Sequence, residues 1–595
     1  MTAQPKPTLR SRTLAVLALA IIGVAALLLR SWGLGWGLPN VERYYPYHPD
    51  ESVLLDAVCK VNPLWGDFTP SFYNYGSLYI NLTRLVFDLV APIQGWGTVP
   101  RFGTPFADWV GDFAHLLLVG RWVAIVLGVG TVYAVLSLGT RLFSRRAGWL
   151  AAVFLAVAPM PVLLGHYMAV DVPTAFFITL ALATGAGALE PAPPRRAAGL
   201  IILSAFLTGL ATGTKYNSFP ALFPLLVPLW QLWGQGGSPR RFAILAAMGA
   251  VLAAPLAFLL ATPGVLLQTR RFLQDVAYEL MRNREGQGLV FKATPPAFLY
   301  HLSISLPIGL EWPLYLLALA GAGWSLARRR AQHVYLWLFV LPFFLLLVPA
   351  QRKYVRYVAP MVPVLVVLAA GVVDEGLAGR RRRYWAVAAG IAGGAALAST
   401  IAHLGVLAAP DARDQAVQYL REQVQPSDTV ALASDAWTYT PPIDPTAGAV
   451  KVAQLYGGPP VWDAALLTDQ IRPDVTQLPQ FKVLAPRSVL TPVHNVPEGA
   501  LTLAKLEKYR PEWVIITDYE YEDPERIKRS DPSYQDGRLD LLAALPQHYR
   551  LDREFRPRPS LAGFTWWRQG IPPHDWRYYM PTVRLYRRQG GGGNG

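Results

Sequence analysis

Apolar residues in this chain fall in long blocks and do not follow the short helical or alternating spacing of a water-soluble fold. Blocks of roughly 16 to 25 residues, each long enough to cross a bilayer as a helix, lie at about 12–29, 114–139, 147–165, 172–189, 198–213, 217–233, 241–262, 304–326, 334–349, 356–373 and 384–408. The pattern predicts a polytopic α-helical membrane protein with about eleven transmembrane helices. Segment 30–113 interrupts it with densely placed Trp, Tyr, Phe, Pro and Gly, as in Tyr44-Tyr45-Pro46-Tyr47 and Phe72-Tyr73-Asn74-Tyr75-Gly76. That composition suits a large, structured first loop whose short helices lie at the interface on aromatic anchors. After Asp411 the pattern turns soluble. Residues 411–424 have helical spacing with Val417, Leu420 and Val424 apolar, and Thr429 to Ala433, Trp513 to Thr517 and Val583 to Tyr586 read as strands. Two regions are expected: a transmembrane domain over 1–410 and a soluble α/β domain over 411–595, ending in a flexible Gly-rich tail.

Composition supports this division. Of 595 residues, 53% are hydrophobic and 16% charged, a balance expected of a membrane protein. Lys6, Arg10 and Arg12 precede the apolar run from Leu14 to Leu29, as in a signal peptide, but Arg30-Ser31-Trp32 stands where small residues would mark cleavage, so an uncleaved anchor is expected. Short cytoplasmic loops carry excess Lys and Arg. With the N-terminus inside, Arg141, Arg145, Arg146, Arg195, Arg196, Arg240, Arg241, Arg328 to Arg330 and Arg380 to Arg383 all fall on inner connectors. Much of the net charge of +15 therefore serves topology, and with no nucleic-acid motif present, no nucleic-acid partner is expected. The first loop, the connectors near His166 and Lys215, loop 263–303, the turn 351–356 and the C-terminal domain then share the outer side. The lone Cys59 cannot form an internal disulfide, which fits the plasma membrane and envelope of a bacterium better than a secretory lumen.

The chemically suggestive residues gather on that outer side. In His48-Pro49-Asp50-Glu51, Pro49 suits the first position of a helix, placing Asp50 and Glu51 in its first turn near the positive end of the dipole. That setting keeps a carboxylate ionised, as a general base requires; taken alone, the pair reads as well as decoration of a helix start. Asp171 lies at the outer boundary between two apolar blocks, where an acid is costly unless solvated or paired and often marks a substrate path, although an N-cap followed by Pro173 accounts for it too. Lys215, followed by Tyr216, sits outside, where the charge rule does not call for a cation. It suits a lipid phosphate, or snorkels to headgroups. Arg352, Lys353, Arg356 and Tyr357 form a second outer cationic group, suited to phosphate or to anionic lipid. Glu311, beside Trp312, either faces the same cleft or sits near the interface. His48 and His166 could join Asp50 and Asp171 around an ion, but no metal-ligand spacing requires it. Nothing resembles a P-loop, a nucleophile elbow or a dinucleotide fingerprint.

The order of these elements resembles the C-type membrane glycosyltransferases. They comprise an Asp-Glu pair early in the first outer loop, a second Asp at an outer helix end, a later Lys-Tyr, an Arg-Tyr before the late spans, and a soluble tail. Within that superfamily the likeness is to bacterial relatives of the protein O-mannosyltransferases and the lipid A aminoarabinose transferases, over roughly residues 10–410. The resemblance implies transfer of a sugar from a polyprenyl-phosphate carrier to a protein, lipid or glycan acceptor outside the cytoplasm. It implies Asp50 as catalytic base with Glu51 beside it, Asp171 as the second acid, and Lys215, Tyr216, Arg356 and Tyr357 about the lipid phosphate. His48, His166 and Glu311 remain cleft candidates. No cofactor is called for; a divalent metal is open but not required. Two other classes stay in view: a transporter or flippase of lipid-linked saccharides, whose polar groups would lie at the midplane, and a non-catalytic scaffold, for which Asp50 and Lys215 would be dispensable. The sugar, the acceptor and the role of the C-terminal domain are not written in these residues.

Overall fold

The computed structural model describes residues 9–40, 43, 45–97, 106–425, 428–433, 439–443, 482–484, 501–567 and 570–589. The Gly-rich tail lies outside these. Among the described residues, seven helices are long and apolar enough to cross a membrane: Thr13–Ser31, Gly111–Leu142, Asp171–Leu189, Pro194–Thr212, Gly237–Ala261, Val355–Ala378 and Arg382–Gln423. Two further pairs count as broken spans, Arg145–Val157 with Pro159–His166, bent by 59°, and Ala297–Leu310 with Trp312–Arg328, bent by 120°.

Four of the eleven expected blocks are not single long helices: 147–165 and 304–326 are these broken spans, and two others differ further. Block 217–233 folds as a 3-10 segment, Tyr216–Leu225, followed by a short helix, Leu226–Gly234. Pro220 and Pro224 each lack the N–H that α-helical bonding requires, which breaks the run. Block 334–349 becomes Ala331–Leu347, a shorter apolar helix containing Pro342. Hydropathy registers apolar length, whereas proline decides whether that length is one rod.

The helices pack through small residues, as membrane helices do in the absence of a hydrophobic drive between them. A Cβ on Gly209 would lie 2.2 Å from the carbonyl oxygen of Ala254, so Pro194–Thr212 and Gly237–Ala261 approach to backbone contact. The first loop holds two helices, Pro49–Cys59 and Leu78–Gln94. Leu54, Leu55, Val58, Ile80 and Phe87 of these helices bury with Phe113, Leu116 and Leu117 of the following span.

Near the C-terminus, β1 (Thr429–Leu432), β2 (Lys482–Leu484), β3 (Trp513–Thr517), β4 (Tyr549–Phe555) and β7 (Val583–Arg588) form one sheet in the order β2-β1-β3-β7-β4. β5 (Ser560–Leu561) and β6 (Phe564–Thr565) make a separate hairpin. β1 runs parallel to β2 and β3, and β7 is antiparallel to β3 and β4. Alternation sorts the central strand: Trp513 and Ile515 bury with helix Ala412–Gln423, whereas Val514 and Ile516 bury on the other face with Leu506, Leu541 and Leu545. Trp576, Tyr578, Tyr579 and Met580, just before β7, enter the core of the membrane helices themselves.

Candidate active site

Four helix starts converge here. Pro49 opens Pro49–Cys59, with His48 extended before it (φ −88°, ψ 118°) and Asp50 and Glu51 in the first turn, as the sequence led us to expect. Asp171 begins Asp171–Ala186, Lys215 precedes the 3-10 segment Tyr216–Leu225, and Arg356 lies in the 3-10 turn Val355–Met361 that leads into Val362–Ala378. Helix starts expose free N–H groups and the positive end of the dipole, so this convergence favours anions.

The side chains meet in one ionic network. Arg356 Nη2 lies 2.8 Å from Asp50 Oδ2, and Arg356 Nε lies 3.8 Å from Asp171 Oδ2. Lys215 Nζ donates to Asp171 Oδ1 at 2.7 Å and stands 5.2 Å from the Tyr357 ring centroid. Asp50 is the most accessible member, with 22% of its side chain exposed against 3% for Asp171, 14% for Lys215 and 7% for Arg356. Burial pushes the Asp50 carboxyl upward, but the Arg356 guanidinium, aided by Lys215 and Arg352, more than reverses this and holds it below the ordinary carboxylate value. Arg356 also packs over Tyr354, 4.2 Å from the ring centroid.

The other expected residues separate from this group. Glu51 points away from it, wholly buried with Arg121: Arg121 Nε donates to Oε1 at 2.8 Å and Nη2 to Oε2 at 2.7 Å, while Oε1 also accepts the Met168 N–H at 2.8 Å. Arg121 Nη1 further donates to the carbonyls of Leu34 and Trp36. The pair thus fastens the first loop to two spans. The His166 ring nitrogens lie 3.0 Å from the carbonyls of Val162 and Trp32, a structural bridge outside the network. The Tyr216 hydroxyl is 2.9 and 2.8 Å from the carbonyls of Tyr73 and Tyr75 and ties the first loop down. Glu311 sits at the 120° break with φ 68°, accepting the Trp312 N–H and, at 3.1 Å, the indole N–H of Trp566. Lys353 donates to the Pro295 carbonyl, and Arg352 pairs with Glu279 at 3.1 Å.

His48 does belong beside the network. It stacks on Tyr167 at 4.3 Å and meets Tyr578 edge-on at 5.0 Å, and burial holds its imidazole down to about 4 despite the pull of Asp50 and Glu51. No group of three or more metal-ligating side chains occurs among the described residues. One member was not anticipated from the sequence: Asp575, whose Oδ2 accepts the Arg356 N–H at 3.2 Å and lies 3.7 Å from its Nη1. It stands far along the chain, among the aromatic residues that precede β7, with no local motif to mark it.

Residues 103–266 match the family model for dolichyl-phosphate-mannose-protein mannosyltransferase, a stretch that contains Asp171 and Lys215 but neither Asp50 nor Arg356. Over that stretch the chain is similar to the C-type membrane glycosyltransferases, the superfamily that its motifs resemble. No curated protein matches it in sequence. Solved structures similar to it include the archaeal oligosaccharyltransferase AglB from Archaeoglobus fulgidus, in complex with an inhibitory peptide and a dolichol-phosphate. It is 12% identical, with 96% of this chain and 77% of that one covered at a TM-score of 0.49. Another is ArnT from Cupriavidus metallidurans in the apo state, 14% identical, with 97% and 98% covered and a TM-score of 0.45. The S. cerevisiae protein O-mannosyltransferase Pmt1-Pmt2 complex bound to the sugar donor is 18% identical over 43% of this chain and 34% of that one, with a TM-score of 0.33. Likenesses of this strength assign no activity.

Proposed function

We propose that this protein transfers a sugar, mannose or another hexose or pentose, from a polyprenyl-phosphate carrier to an acceptor hydroxyl on the outer side of a bacterial plasma membrane. The observation that carries the reading is the network of Asp50, Asp171, Lys215 and Arg356, drawn from four separate helix starts. It combines an accessible carboxylate with two cations, the components that a hydroxyl nucleophile and a phosphate leaving group require.

In this mechanism the acceptor oxygen attacks the anomeric carbon while the bond from that carbon to the phosphate oxygen breaks, its electron pair staying on the phosphate. The acceptor proton passes to Asp50, within hydrogen-bond reach of the attacking oxygen. Lys215 and Arg356 stabilise the negative charge that develops on the phosphate. A single displacement inverts the anomeric centre. Arg356 couples the two halves: paired with Asp50 it keeps that carboxylate weakly basic, and once drawn to the phosphate it leaves Asp50 more basic beside the acceptor. Asp171 orients Lys215. Glu51, Tyr216 and His166 take positioning roles in place of the chemical ones that motif order alone would give the first two.

A transporter of lipid-linked saccharides is the competing reading, but its polar groups would be expected near the middle of the spans. The test uses the full chain in lipid nanodiscs with a panel of radiolabelled polyprenyl-phosphate sugars. Release of free polyprenyl phosphate from one of them is expected; a protein that binds or moves the donors and leaves every one intact is not a transferase.

A further inference from the structure

The segment Pro573–Met580 does not merely rest on the membrane helices. Trp576, Tyr578, Tyr579 and Met580 share one core with Met160, Leu163, Val355 and Val358. Asp575 is carried in with them, its side chain 4% exposed, and its anchors are the Arg356 N–H at 3.2 Å and the Arg356 guanidinium at 3.7 Å. A main-chain N–H at a helix start joined to a guanidinium is a phosphate-type binding site. Here a carboxylate occupies it.

Main-chain N–H groups of Val355 and of Asp575 itself add to these anchors, and one carboxylate oxygen is left over. Among the described residues, Asp575 Oδ1, Arg356 Nη1, His48 Nδ1 and the Tyr167 hydroxyl are buried without hydrogen-bond partners. Their four residues line one cavity of about 20 Å³ together with Trp576 and Tyr579. Space of that size is about that of one water, so a phosphate reaches these groups only if Asp575 gives way. Asp50 and Asp575 both lie against Arg356, whose guanidinium an anionic donor would have to win from them. Asp171 is held by Lys215 and Asp50 is the proposed base, so of the two carboxylates against Arg356 it is Asp575 that has no other part in the site.

We propose that Asp575 is a further active-site residue: its carboxylate occupies the Arg356 end of the phosphate site and gives way when the lipid-linked phosphate binds. This rests on the reading above that the network binds such a phosphate, and it deepens that reading by making the C-terminal region a determinant of donor affinity.

The test measures binding of undecaprenyl phosphate to the full chain in nanodiscs for the wild type, Asp575→Asn, Asp575→Glu and Lys215→Ala. Asp575→Asn keeps the shape and removes the competing charge, and is expected to bind about tenfold more tightly than the wild type. Asp575→Glu keeps the charge and is expected to stay near the wild type, and Lys215→Ala to weaken binding. A residue with only a structural role gives unchanged or weaker binding when altered, and that result for Asp575→Asn, with the wild type binding normally, overturns this inference and leaves the transferase reading standing. If Asp575→Asn does not yield folded protein, Asp575→Ser carries the same comparison with the same expected gain. If the wild type and all variants fail to bind undecaprenyl phosphate, the transferase reading falls and this inference with it.

Discussion

Replacing Glu51 by Ala separates holding the fold together from doing the chemistry. Both Glu51 and Arg121 are wholly buried, and the carboxylate accepts two bonds from the guanidinium and one from the Met168 N–H. Truncating Glu51 leaves the guanidinium charge buried with only two carbonyls to accept from it. Removing one partner of a buried pair costs about 3–5 kcal/mol, against about 0–1 kcal/mol for an exposed pair. Partly buried Asp50 gives a different expectation: Asp50→Asn leaves Arg356 with Asp171 and Asp575 beside it and should disturb stability less. The assay is SDS-induced unfolding in mixed micelles, with donor turnover measured on the same preparations. Glu51→Ala is expected to lose about 3–5 kcal/mol, and Glu51→Leu with Arg121→Met to recover much of it, because no charge is then left buried. If Glu51→Ala folds with wild-type stability yet loses turnover as Asp50→Asn does, Glu51 acts in the chemistry and its assignment as a fastener is wrong.

Three further outcomes follow from the same geometry. Lys215→Ala leaves Asp171 without its 2.7 Å partner, and donor affinity should fall about 10- to 100-fold, in line with roughly 1.5–3 kcal/mol for a charged hydrogen bond, as read by equilibrium binding. Because Asp50 is held below the ordinary carboxylate value and His48 is neutral down to about 4, kcat/KM should show no ionisation step between about pH 5 and 7; a step there would contradict the arrangement. The depressed His48 value also carries a stability consequence. The unfolded imidazole, with its usual value near 6.5, takes up a proton that the folded one refuses. Its contribution is therefore present above about pH 6.5 and is lost as pH falls toward 4, and His48→Phe should flatten that part of the stability profile.

Much of the architecture was legible because apolar length is a property of short windows. The span at Asp171, the helix opening at Pro49 and the strand Trp513–Thr517 were each readable from one short stretch of sequence. Block 217–233 is not one long helix, and it owes that to Pro220 and Pro224, whose effect depends on the backbone partners they lose. Within the site, Asp50, Asp171, Lys215 and Arg356 were recoverable because each marks a helix start. The roles of Glu51 and Tyr216 were not, since adjacency in sequence says nothing about which way a side chain turns: Asp50 and Glu51 are neighbours in one helical turn, and one meets Arg356 while the other meets Arg121. Asp575 was invisible for a simpler reason, since only the folded chain brings the approach to β7 down among the membrane helices.

The central claim is that Asp50 serves the transfer step rather than donor capture. Single-turnover cleavage of the preferred polyprenyl-phosphate sugar by the wild type and by Asp50→Asn, at saturating donor in nanodiscs, tests it most directly. The account predicts that Asp50→Asn binds donor at least as tightly as the wild type, because Arg356 loses a competing carboxylate, yet cleaves it at least about 100-fold more slowly. Cleavage by Asp50→Asn at the wild-type rate would contradict it.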